Sequence, residues 1–316
     1  MPTHVAILDD YQRVALSMAD WASLGPAVSV QPFHERLRER DIAERLRPFD
    51  VIVAMRERTP FPGSLLARLP SLRLLVTTGR RNAAIDVAAA TARGIVVSGT
   101  STLAAPPVEL TWGLILALAR HIPREAQAMR HGGWQSTVGV GLHGKTLGVI
   151  GLGRLGSEVA RIGQTFGMTV IAWSQNLTRE KAAAAGVELV DKDMLFQRAD
   201  VVSVHLVLSE RTRGVVGAHE LALMKRSALL VNTARGPIVD EQALIDALRR
   251  QVIAGAALDV FDEEPLPIDH PFRQLENVVL TPHLGYVTAD NYRLAYGEAV
   301  EDIRAFLDGS PVRVIA

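Results

Sequence analysis

Three residues with complementary chemistry each follow closely on an apolar segment that has the composition of a buried strand. They are Arg235, Glu264 and His283. An arginine presents a planar pair of donors that suits a carboxylate. An imidazole exchanges protons near neutral pH, and a carboxylate behind it fixes its tautomer. Each residue type alone is more often structural, but the three together predict a site that binds a carboxylate and moves a proton.

A glycine-rich turn, Gly151-Leu152-Gly153-Arg154-Leu155-Gly156, lies between a strand-like segment and a helical segment. The spacing alone is weak evidence, but the strand before it and the helix after it strengthen it. We expect Gly151 to permit a tight turn, Gly153 to let the backbone approach a pyrophosphate, and Gly156 to let the helix pack on the sheet. Free N–H groups at the start of the helix, beside Arg154 and Leu155, would bind the anion. The turn therefore predicts a dinucleotide cofactor.

The end of the next strand-like segment bears on which dinucleotide binds. Such a strand usually ends in Asp or Glu, which accepts a hydrogen bond from the ribose 2′-hydroxyl of NAD. Here residues 169–173 are followed by Ser174-Gln175-Asn176. No carboxylate is present there to repel the 2′-phosphate of NADP, and no adjacent arginine is present to bind it. Arg179 and Lys181 fit the solvated face of a helix better. The sequence predicts NAD or NADP, with Ser174 near the ribose.

Strand-like and helical segments alternate along nearly the whole chain and provide the elements that would position these residues. The first third has strand-like segments at 4–8, 51–55, 72–77 and 95–98, with helical segments at 35–46, 62–69 and 85–93. A second series has six strand-like segments, at 146–150, 169–173, 201–205, 229–232, 254–259 and 278–281. Continuous apolar strands separated by amphipathic helices predict parallel sheets covered on both faces. Ligands bind at the carboxyl ends of such strands.

Two further helical segments lie outside this alternation. The segment 107–120 is long and apolar, and we interpret it as a bridge between two domains. The segment 289–308 follows His283 and is the last helix of the chain. A chain of 316 residues is longer than one compact core usually holds, which also favours two domains.

Composition narrows the classes of function. Hydrophobic residues make up 48% and charged residues 22% of the chain, which is typical of a soluble globular protein. Lys plus Arg equals Asp plus Glu at 34 each, which disfavours nucleic acid or an anionic membrane as a partner. Cysteine is absent, which excludes disulfides, thiolate-bound metals and a cysteine nucleophile and fits a reducing cytoplasm. No metal site and no membrane span are predicted.

Four motifs in this order resemble the D-isomer-specific 2-hydroxyacid dehydrogenase family, which includes phosphoglycerate dehydrogenases and glyoxylate/hydroxypyruvate reductases. They are the glycine turn 151–156, Asn232-Thr233-Ala234-Arg235-Gly236 with Val239-Asp240, Asp259-Val260-Phe261 with Glu264-Pro265, and Thr281-Pro282-His283-Leu284-Gly285. The resemblance covers nearly the whole chain. It implies hydride transfer between NAD(P) and a small D-2-hydroxy acid or 2-keto acid.

The resemblance also implies roles for single residues. His283 would be the general acid/base, Glu264 its partner, and Arg235 the anchor of the substrate carboxylate. The residues implied to line the cofactor are Thr233, Ala234, His205 and Asp259, with Asp259 near the nicotinamide carboxamide.

Residues near the start of the chain resemble the substrate-facing segments of the family. Arg56 lies in one of them and Arg80 in the other, where Gly79-Arg80-Arg81-Asn82 replaces the usual glycine-rich loop. Because of this added positive charge, the sequence does not determine which acid is the substrate. A phosphorylated or dicarboxylic acid is one alternative. A second departure is Val207, where family members often have proline after His-Leu.

The implied fold is α/β, with two doubly wound parallel-sheet domains. A Rossmann-type nucleotide domain, residues 100–283, would be inserted in a flavodoxin-like substrate domain made of residues 1–99 and 284–316. The long helical bridge resembles the dimerisation region of the family, which implies a homodimer.

Two other functions compete with this prediction. A formate dehydrogenase has no hydroxyl proton to remove and carries an amide in place of the acid partner, so Glu264 speaks against it. An NAD-sensing binding protein of the same fold could keep all three residues at the predicted site. The sequence leaves this second alternative open.

Overall fold

The computed structural model describes residues 2–315 and divides the chain into two compact units. The terminal unit is built from both ends of the chain, up to Leu103 and from Val287 onward, and the central unit is Ala104–Tyr286. The strands are β1 Thr3–Ile7, β2 Val28–Pro32, β3 Val51–Ala54, β4 Leu74–Thr77, β5 Val96–Gly99, β6 Thr146–Ile150, β7 Thr169–Trp173, β8 Glu188–Leu189, β9 Val201–Val204, β10 Leu229–Asn232, β11 Gly255–Leu258 and β12 Val278–Leu280.

The α-helices alternate with these strands in both units. They are α1 Glu39–Leu46, α2 Gly63–Leu66, α3 Val87–Thr91, α4 Ala105–Ala119, α5 Ile122–Arg130, α6 Arg154–Thr165, α7 Arg179–Ala184, α8 Lys192–Arg198, α9 Ala218–Leu223, α10 Glu241–Arg249 and α11 Ala289–Leu307. Short 3₁₀ turns add Ala15–Ser17, Trp21–Leu24, Gly236–Ile238 and Pro271–Gln274. Among residues 2–315, no helix combines the length and apolar character needed to cross a membrane.

The terminal unit holds a five-stranded sheet with the order β2-β1-β3-β4-β5, in which neighbouring strands run parallel. This is the flavodoxin-like strand order. The sheet is covered by a core that includes Leu46, Ile52, Phe61 and Leu75, all nearly inaccessible to solvent. The predicted doubly wound, flavodoxin-like sheet is therefore confirmed.

The central unit holds a seven-stranded parallel sheet with the order β12-β11-β10-β9-β6-β7-β8. The order reverses between β6 and β9, as in a Rossmann sheet with one strand added. Successive residues of β10 face opposite sides, because Leu230 joins one core cluster whereas Leu229 and Val231 join the other. Both faces of the sheet are thus covered, as predicted for a Rossmann-type domain.

The sequence prediction missed one strand in each sheet. Residues 28–32 form an edge strand whose exposure is intermediate or high throughout, so it lacks the continuous apolar run that marks the central strands. Residues 188–189 form a two-residue edge strand, which is too short to give a pattern. Both are edge strands, which pack against the core on less of their surface and therefore carry less sequence signal.

The helix interpreted as a bridge between domains is instead part of the central unit. Helix α4 packs against β10, β11 and α6, and its residues Val108, Trp112 and Ile115 are buried. Its apolar character therefore reflects burial against the Rossmann sheet. The chain passes between the two units immediately before α4 and again after Tyr286.

Candidate active site

His283 and Glu264 form a short hydrogen bond in the central unit. Nδ1 of His283 lies 2.6 Å from Oε2 of Glu264, and both side chains are largely buried, at 15% and 25% exposure. The second carboxylate oxygen of Glu264 accepts a hydrogen bond from the N–H of Phe261 at 3.0 Å. The carboxylate is therefore held from behind while it orients the imidazole.

Asp259 organises the segment that carries His283. The residue follows β11 and is completely buried. Its Oδ1 accepts hydrogen bonds from the Thr281 hydroxyl at 2.6 Å and the Leu284 N–H at 2.7 Å, and its Oδ2 accepts from the Gly285 N–H at 2.9 Å. Burial raises the pKa of the Asp259 carboxyl, while the hydrogen bonds and His283 act to lower it.

These bonds hold a backbone that has an uncommon conformation. His283 has φ +54°, in the left-handed region, which histidine adopts more readily than most residues. The donors on both sides of His283, at residues 281 and 284–285, converge on the one carboxylate of Asp259. The carboxylate of Asp259 therefore holds the loop that carries the imidazole in its conformation.

The loop after β10 carries Arg235 and is fixed by Asn232. The Asn232 side chain accepts from the Ala234 N–H at 3.0 Å and donates to the Arg235 carbonyl at 2.9 Å. Thr233 is tied to α4 through a 2.8 Å hydroxyl–hydroxyl contact with Thr111. The Arg235 guanidinium donates to the Ala234 carbonyl at 2.7 Å. Three consecutive predicted site residues thus lie on one ordered turn.

Gly236 brings this turn against the loop that carries Glu264. A Cβ at Gly236 would lie 2.2 Å from the carbonyl carbon of Phe261, closer than any side-chain atom can approach. Only glycine therefore permits the two backbones to meet. Since β10, β11 and β12 are adjacent and parallel, the loops bearing Arg235, Glu264 and His283 all leave the same edge of the sheet.

The glycine turn fits a dinucleotide. Gly151 has φ +97°, and a Cβ there would lie 2.9 Å from the backbone of His205. A Cβ at Gly156 would lie 2.0 Å from the Gly151 carbonyl oxygen, so α6 packs on the turn with no room for a side chain. Gly153 has no atom within 4 Å of that position. It faces open space immediately before Arg154 and Leu155 begin α6, where a pyrophosphate would meet free backbone N–H groups.

His205 follows β9, and its ring contacts a neighbouring side chain of the same strand. Its ring Nε2 lies 2.8 Å from the Ser203 hydroxyl, and its backbone N–H donates to the Ile150 carbonyl at 2.7 Å. Burial lowers the pKa of the imidazole to about 4, so the ring is neutral at physiological pH. The next residues, Leu206 and Val207, line a nearby cavity.

This cavity, which we call the ribose cavity, has a volume of about 300 Å³ and contains Ser174. Its walls come from the segment after β7, residues 173–176, and the segment after β9, including Arg211 and Thr212. Ser174, which the sequence predicts to lie near the ribose, lines this cavity. Sequence reasoning did not identify Arg211, because the residue lies in a polar loop with no motif to mark it.

Arg56 and Arg80 lie in the terminal unit, on neighbouring loops. The Arg56 N–H donates to the Thr78 hydroxyl at 3.0 Å, and the Asn82 amide donates to the Arg56 carbonyl at 2.6 Å. A Cβ at Gly79 would lie 3.1 Å from a guanidinium nitrogen of Arg56. The structure thus brings the two predicted substrate segments together within that unit, and Arg80 is exposed.

One group of side chains elsewhere in the central unit has ligand atoms close enough for a metal ion. Asp193, His219 and Glu220 have such atoms within 4.8 Å of one another. However, Glu220 already pairs with Lys192 at 2.6 Å and accepts from the Gly217 N–H at 2.8 Å. Its oxygens therefore act in an ion pair and a helix cap.

Known proteins resemble this chain over most of its length. Residues 112–285 match the family described as "D-isomer specific 2-hydroxyacid dehydrogenase, NAD binding domain". The glyoxylate reductase of Aeropyrum pernix is 42% identical over 255 residues, covering 78% of this chain and 76% of the relative. The chain belongs to the D-isomer-specific 2-hydroxyacid dehydrogenase family.

Two further members extend the comparison. The D-3-phosphoglycerate dehydrogenase of Methanocaldococcus jannaschii is 40% identical over 277 residues, covering 86% of this chain and 52% of the relative. The chain thus spans about half the length of that relative and of other phosphoglycerate dehydrogenases it matches. The crystal structure of a phosphoglycerate oxidoreductase from Vibrio cholerae has a TM-score of 0.93 and 37% identity, covering 98% of this chain and 100% of that one.

The family match places the NAD-binding domain in the central unit, around the glycine turn and the Rossmann sheet. Arg235, Glu264 and His283, which the sequence predicts as site residues, lie in the same unit. The side chains that sequence reasoning missed are Asn232, Thr111 and Arg211, and the backbone approach at Gly236 was also missed. Asn232 and Gly236 lie within a recognisable motif, but their roles depend on contacts that only the folded chain shows.

Proposed function

We propose that this chain transfers a hydride between NAD(P) and a small D-2-hydroxy acid or 2-keto acid. His283 is the general acid/base, Glu264 is its partner, and Arg235 anchors the substrate carboxylate. The observation that carries the proposal is the 2.6 Å bond between Nδ1 of His283 and Glu264, formed at the sheet edge that also bears Arg235. A carboxylate bonded to one ring nitrogen sets the tautomer of the imidazole and leaves the other nitrogen for acid/base catalysis.

The proton passes through the second nitrogen of the ring. With Nδ1 bonded to Glu264, Nε2 exchanges a proton with the substrate oxygen. In reduction His283 donates this proton to the carbonyl oxygen, and in oxidation it takes the proton from the hydroxyl. Glu264 stabilises the imidazolium that forms in oxidation.

Arg235 holds the substrate. Its guanidinium offers two parallel donors for a carboxylate and lowers the energy of negative charge on the reacting oxygen. The backbone that carries Arg235 is anchored through Asn232 and Thr233, and the guanidinium itself donates to the Ala234 carbonyl. Electrostatic stabilisation by groups held in place in this way is usually the largest single contribution to catalysis.

The glycine turn and the ribose cavity would hold the cofactor. The open space at Gly153 and the start of α6 suit a pyrophosphate, and the cavity beside Ser174 suits the adenosine ribose. A bound nicotinamide supplies or accepts the hydride. Thr233, Ala234 and Asp259 are proposed to lie along it.

Arg56 and Arg80 are proposed as further residues that bind the substrate. Both belong to segments that resemble the substrate-facing loops of the family. Their positive charge favours an anionic substrate, and an acid with a second anionic group is the alternative that this charge supports.

A homodimer in the cytoplasm completes the proposal. Support for a dimer comes from the family resemblance and from a group of exposed apolar side chains in and after α5, namely Ile122, Met129, Trp134 and Val138. Light scattering after gel filtration gives the mass of the assembly directly.

The experiment that tests the function measures NADH and NADPH consumption with glyoxylate, hydroxypyruvate, 2-oxoglutarate and 3-phosphohydroxypyruvate. Turnover of any of these supports the proposal and identifies the substrate class. Absence of turnover, together with a rise in melting temperature on adding the cofactor, would contradict it and favour the NAD-sensing alternative.

A further inference from the structure

The ribose cavity lies where the Rossmann fold places the group that distinguishes NAD from NADP. One of its two walls begins at the end of β7 and contains Ser174, Gln175 and Asn176. In this fold the residue at this strand end contacts the ribose 2′-position. The chemistry of the cavity therefore bears on which of the two cofactors it takes.

The lining contains neutral donors and one charged side chain. Ser174, Gln175 and Asn176 offer a hydroxyl and two amides, and each can donate to a phosphate oxygen. Among the lining residues in the described part of the chain, none is a carboxylate and Arg211 is the one charged group. A carboxylate is what normally repels a 2′-phosphate, so this cavity lacks that selection against NADP.

Arg211 stands on an ordered turn in the opposite wall. The Thr212 hydroxyl donates to the Val207 carbonyl at 2.7 Å and accepts from the Ser209 N–H at 2.8 Å. The backbone N–H of Arg213 donates to the Ser209 carbonyl at 3.0 Å. The turn is thus held by its own hydrogen bonds, independently of the Arg211 side chain.

The Arg211 guanidinium does not contribute a polar contact that stabilises the described part of the fold. Within residues 2–315 its side chain makes no ion pair or hydrogen bond to another residue, although the acidic Glu210 precedes it in sequence. The two cations that follow Ser174 most closely in sequence, Arg179 and Lys181, lie on α7 and do not line the cavity. Within the described part of the chain, Arg211 is therefore the one cation that lines the cavity.

We propose that Arg211 binds the 2′-phosphate of NADP(H), with Ser174 and its neighbouring amides as further donors, and that this chain prefers NADP(H) to NAD(H). The proposal rests on the cofactor role of the central unit and selects between the two cofactors. A guanidinium pairs with a phosphate through charge-assisted, two-donor bonds, which have no counterpart with the 2′-hydroxyl of NAD.

Binding of adenosine fragments tests this without catalysis. Adenosine 2′,5′-bisphosphate and 5′-AMP differ only in the 2′-phosphate, and calorimetry gives the Kd of each. We expect the bisphosphate to bind at least about tenfold more tightly to the native chain, and Arg211→Ala to remove most of that difference. Arg179→Ala, which changes a cation outside the cavity, is the matched control and should keep the preference.

Steady-state kinetics give the second readout. The ratio of kcat/KM for NADPH to that for NADH should exceed one, and Arg211→Ala should lower it by at least about tenfold, mainly through the KM for NADPH. Ser174→Asp should reverse the preference, because a carboxylate repels the phosphate and accepts from the 2′-hydroxyl.

The outcomes separate this inference from the proposed function. Equal binding of the two fragments, or an unchanged ratio in Arg211→Ala, overturns the NADP assignment even if the chain turns over a keto acid. Tight, Arg211-dependent binding of the bisphosphate without any turnover would support the NADP assignment and contradict the enzymatic function.

Discussion

Glu264 contacts the ring of His283 through Oε2 and the backbone of Phe261 through Oε1, at 2.6 Å and 3.0 Å. One carboxylate thus ties the imidazole to the loop that follows β11. The same loop lies against Gly236, next to Arg235, where backbone meets backbone. The three side chains that we propose as acid, partner and carboxylate anchor therefore lie on loops of one unit.

Replacing Glu264 tests its role as the partner of the imidazole. Glu264→Gln keeps the shape and removes the charge that stabilises the imidazolium. We expect kcat to fall about 100-fold, the lower end of what acid/base catalysis contributes, with little change in cofactor Kd. Glu263→Gln, a change at the exposed neighbour, is the control, and equal kinetics in the two variants would rule out this role.

Replacing Asp259 tests whether it positions the loop that carries His283. Asp259→Asn leaves one acceptor and turns an N–H toward the backbone N–H groups that now bond to the carboxylate. Losing a buried, charge-assisted bond of this kind costs about 1–3 kcal/mol. We expect a lower melting temperature and a lower kcat. Thermal unfolding with kinetics checks both, and unchanged kcat in a destabilised variant would show that the carboxylate is structural only.

The two glycines 153 and 156 should respond in opposite ways to the same substitution. Gly156→Ala forces a Cβ to 2.0 Å from the Gly151 carbonyl oxygen, so the fold itself should be destabilised. Gly153→Ala adds a methyl group to open space at φ −87°, so stability should hold. Cofactor affinity should fall at least about tenfold, because the methyl group takes the space of the pyrophosphate. A melting curve and a cofactor titration of each variant distinguish these effects; full cofactor affinity in Gly153→Ala would contradict the assignment.

Much of this arrangement follows from local sequence. Buried central strands such as β9 and β10 are continuous apolar runs, and each predicted site residue of the central unit lies just after or close to such a strand. The edge strand β2 escaped prediction because Val28–Pro32 alternates between partly and highly exposed positions. Strand order and the pairing of loops depend on contacts distant in sequence, which a local pattern does not contain.

The roles of Asp259 and Arg211 show where sequence reasoning stops. An Asp that closes an apolar strand is expected to be buried and therefore to need hydrogen-bond donors. The sequence does not show that the three donors to Asp259 come from residues 22 to 26 positions later. Arg211 is one of many exposed arginines until the fold sets it across a cavity from Ser174. Both assignments require knowing which segments are neighbours in space.

A buried carboxyl in α11 should make stability depend on pH. Asp302 is completely buried, and its Oδ1 accepts from Arg313 at 2.8 Å. Burial raises the pKa of this carboxyl to about 7, with Arg313 opposing and Glu298 and Glu301 adding to the rise. In the unfolded chain the pKa of Asp is about 3.9, so between these values the native state binds more protons than the unfolded state. Its contribution to stability therefore decreases as pH rises from about 4 to about 7.

Asp302→Asn removes this titration while keeping the size of the side chain. We expect the melting temperature of the variant, relative to the native chain, to increase from pH 5 to pH 8. Differential scanning calorimetry of both proteins across that range measures the difference. A difference that stays constant with pH would contradict the raised pKa of Asp302.

The proposal that His283 moves the proton in a keto-acid reduction is tested most directly by one comparison. Turnover of NADPH and NADH with the four keto acids is measured for the native chain and for His283→Ala, alongside the cofactor Kd of each. We expect the native chain to reduce at least one acid and His283→Ala to lose about 10²- to 10⁴-fold in kcat with its cofactor Kd nearly unchanged. Equal turnover in the two proteins would contradict the role of His283.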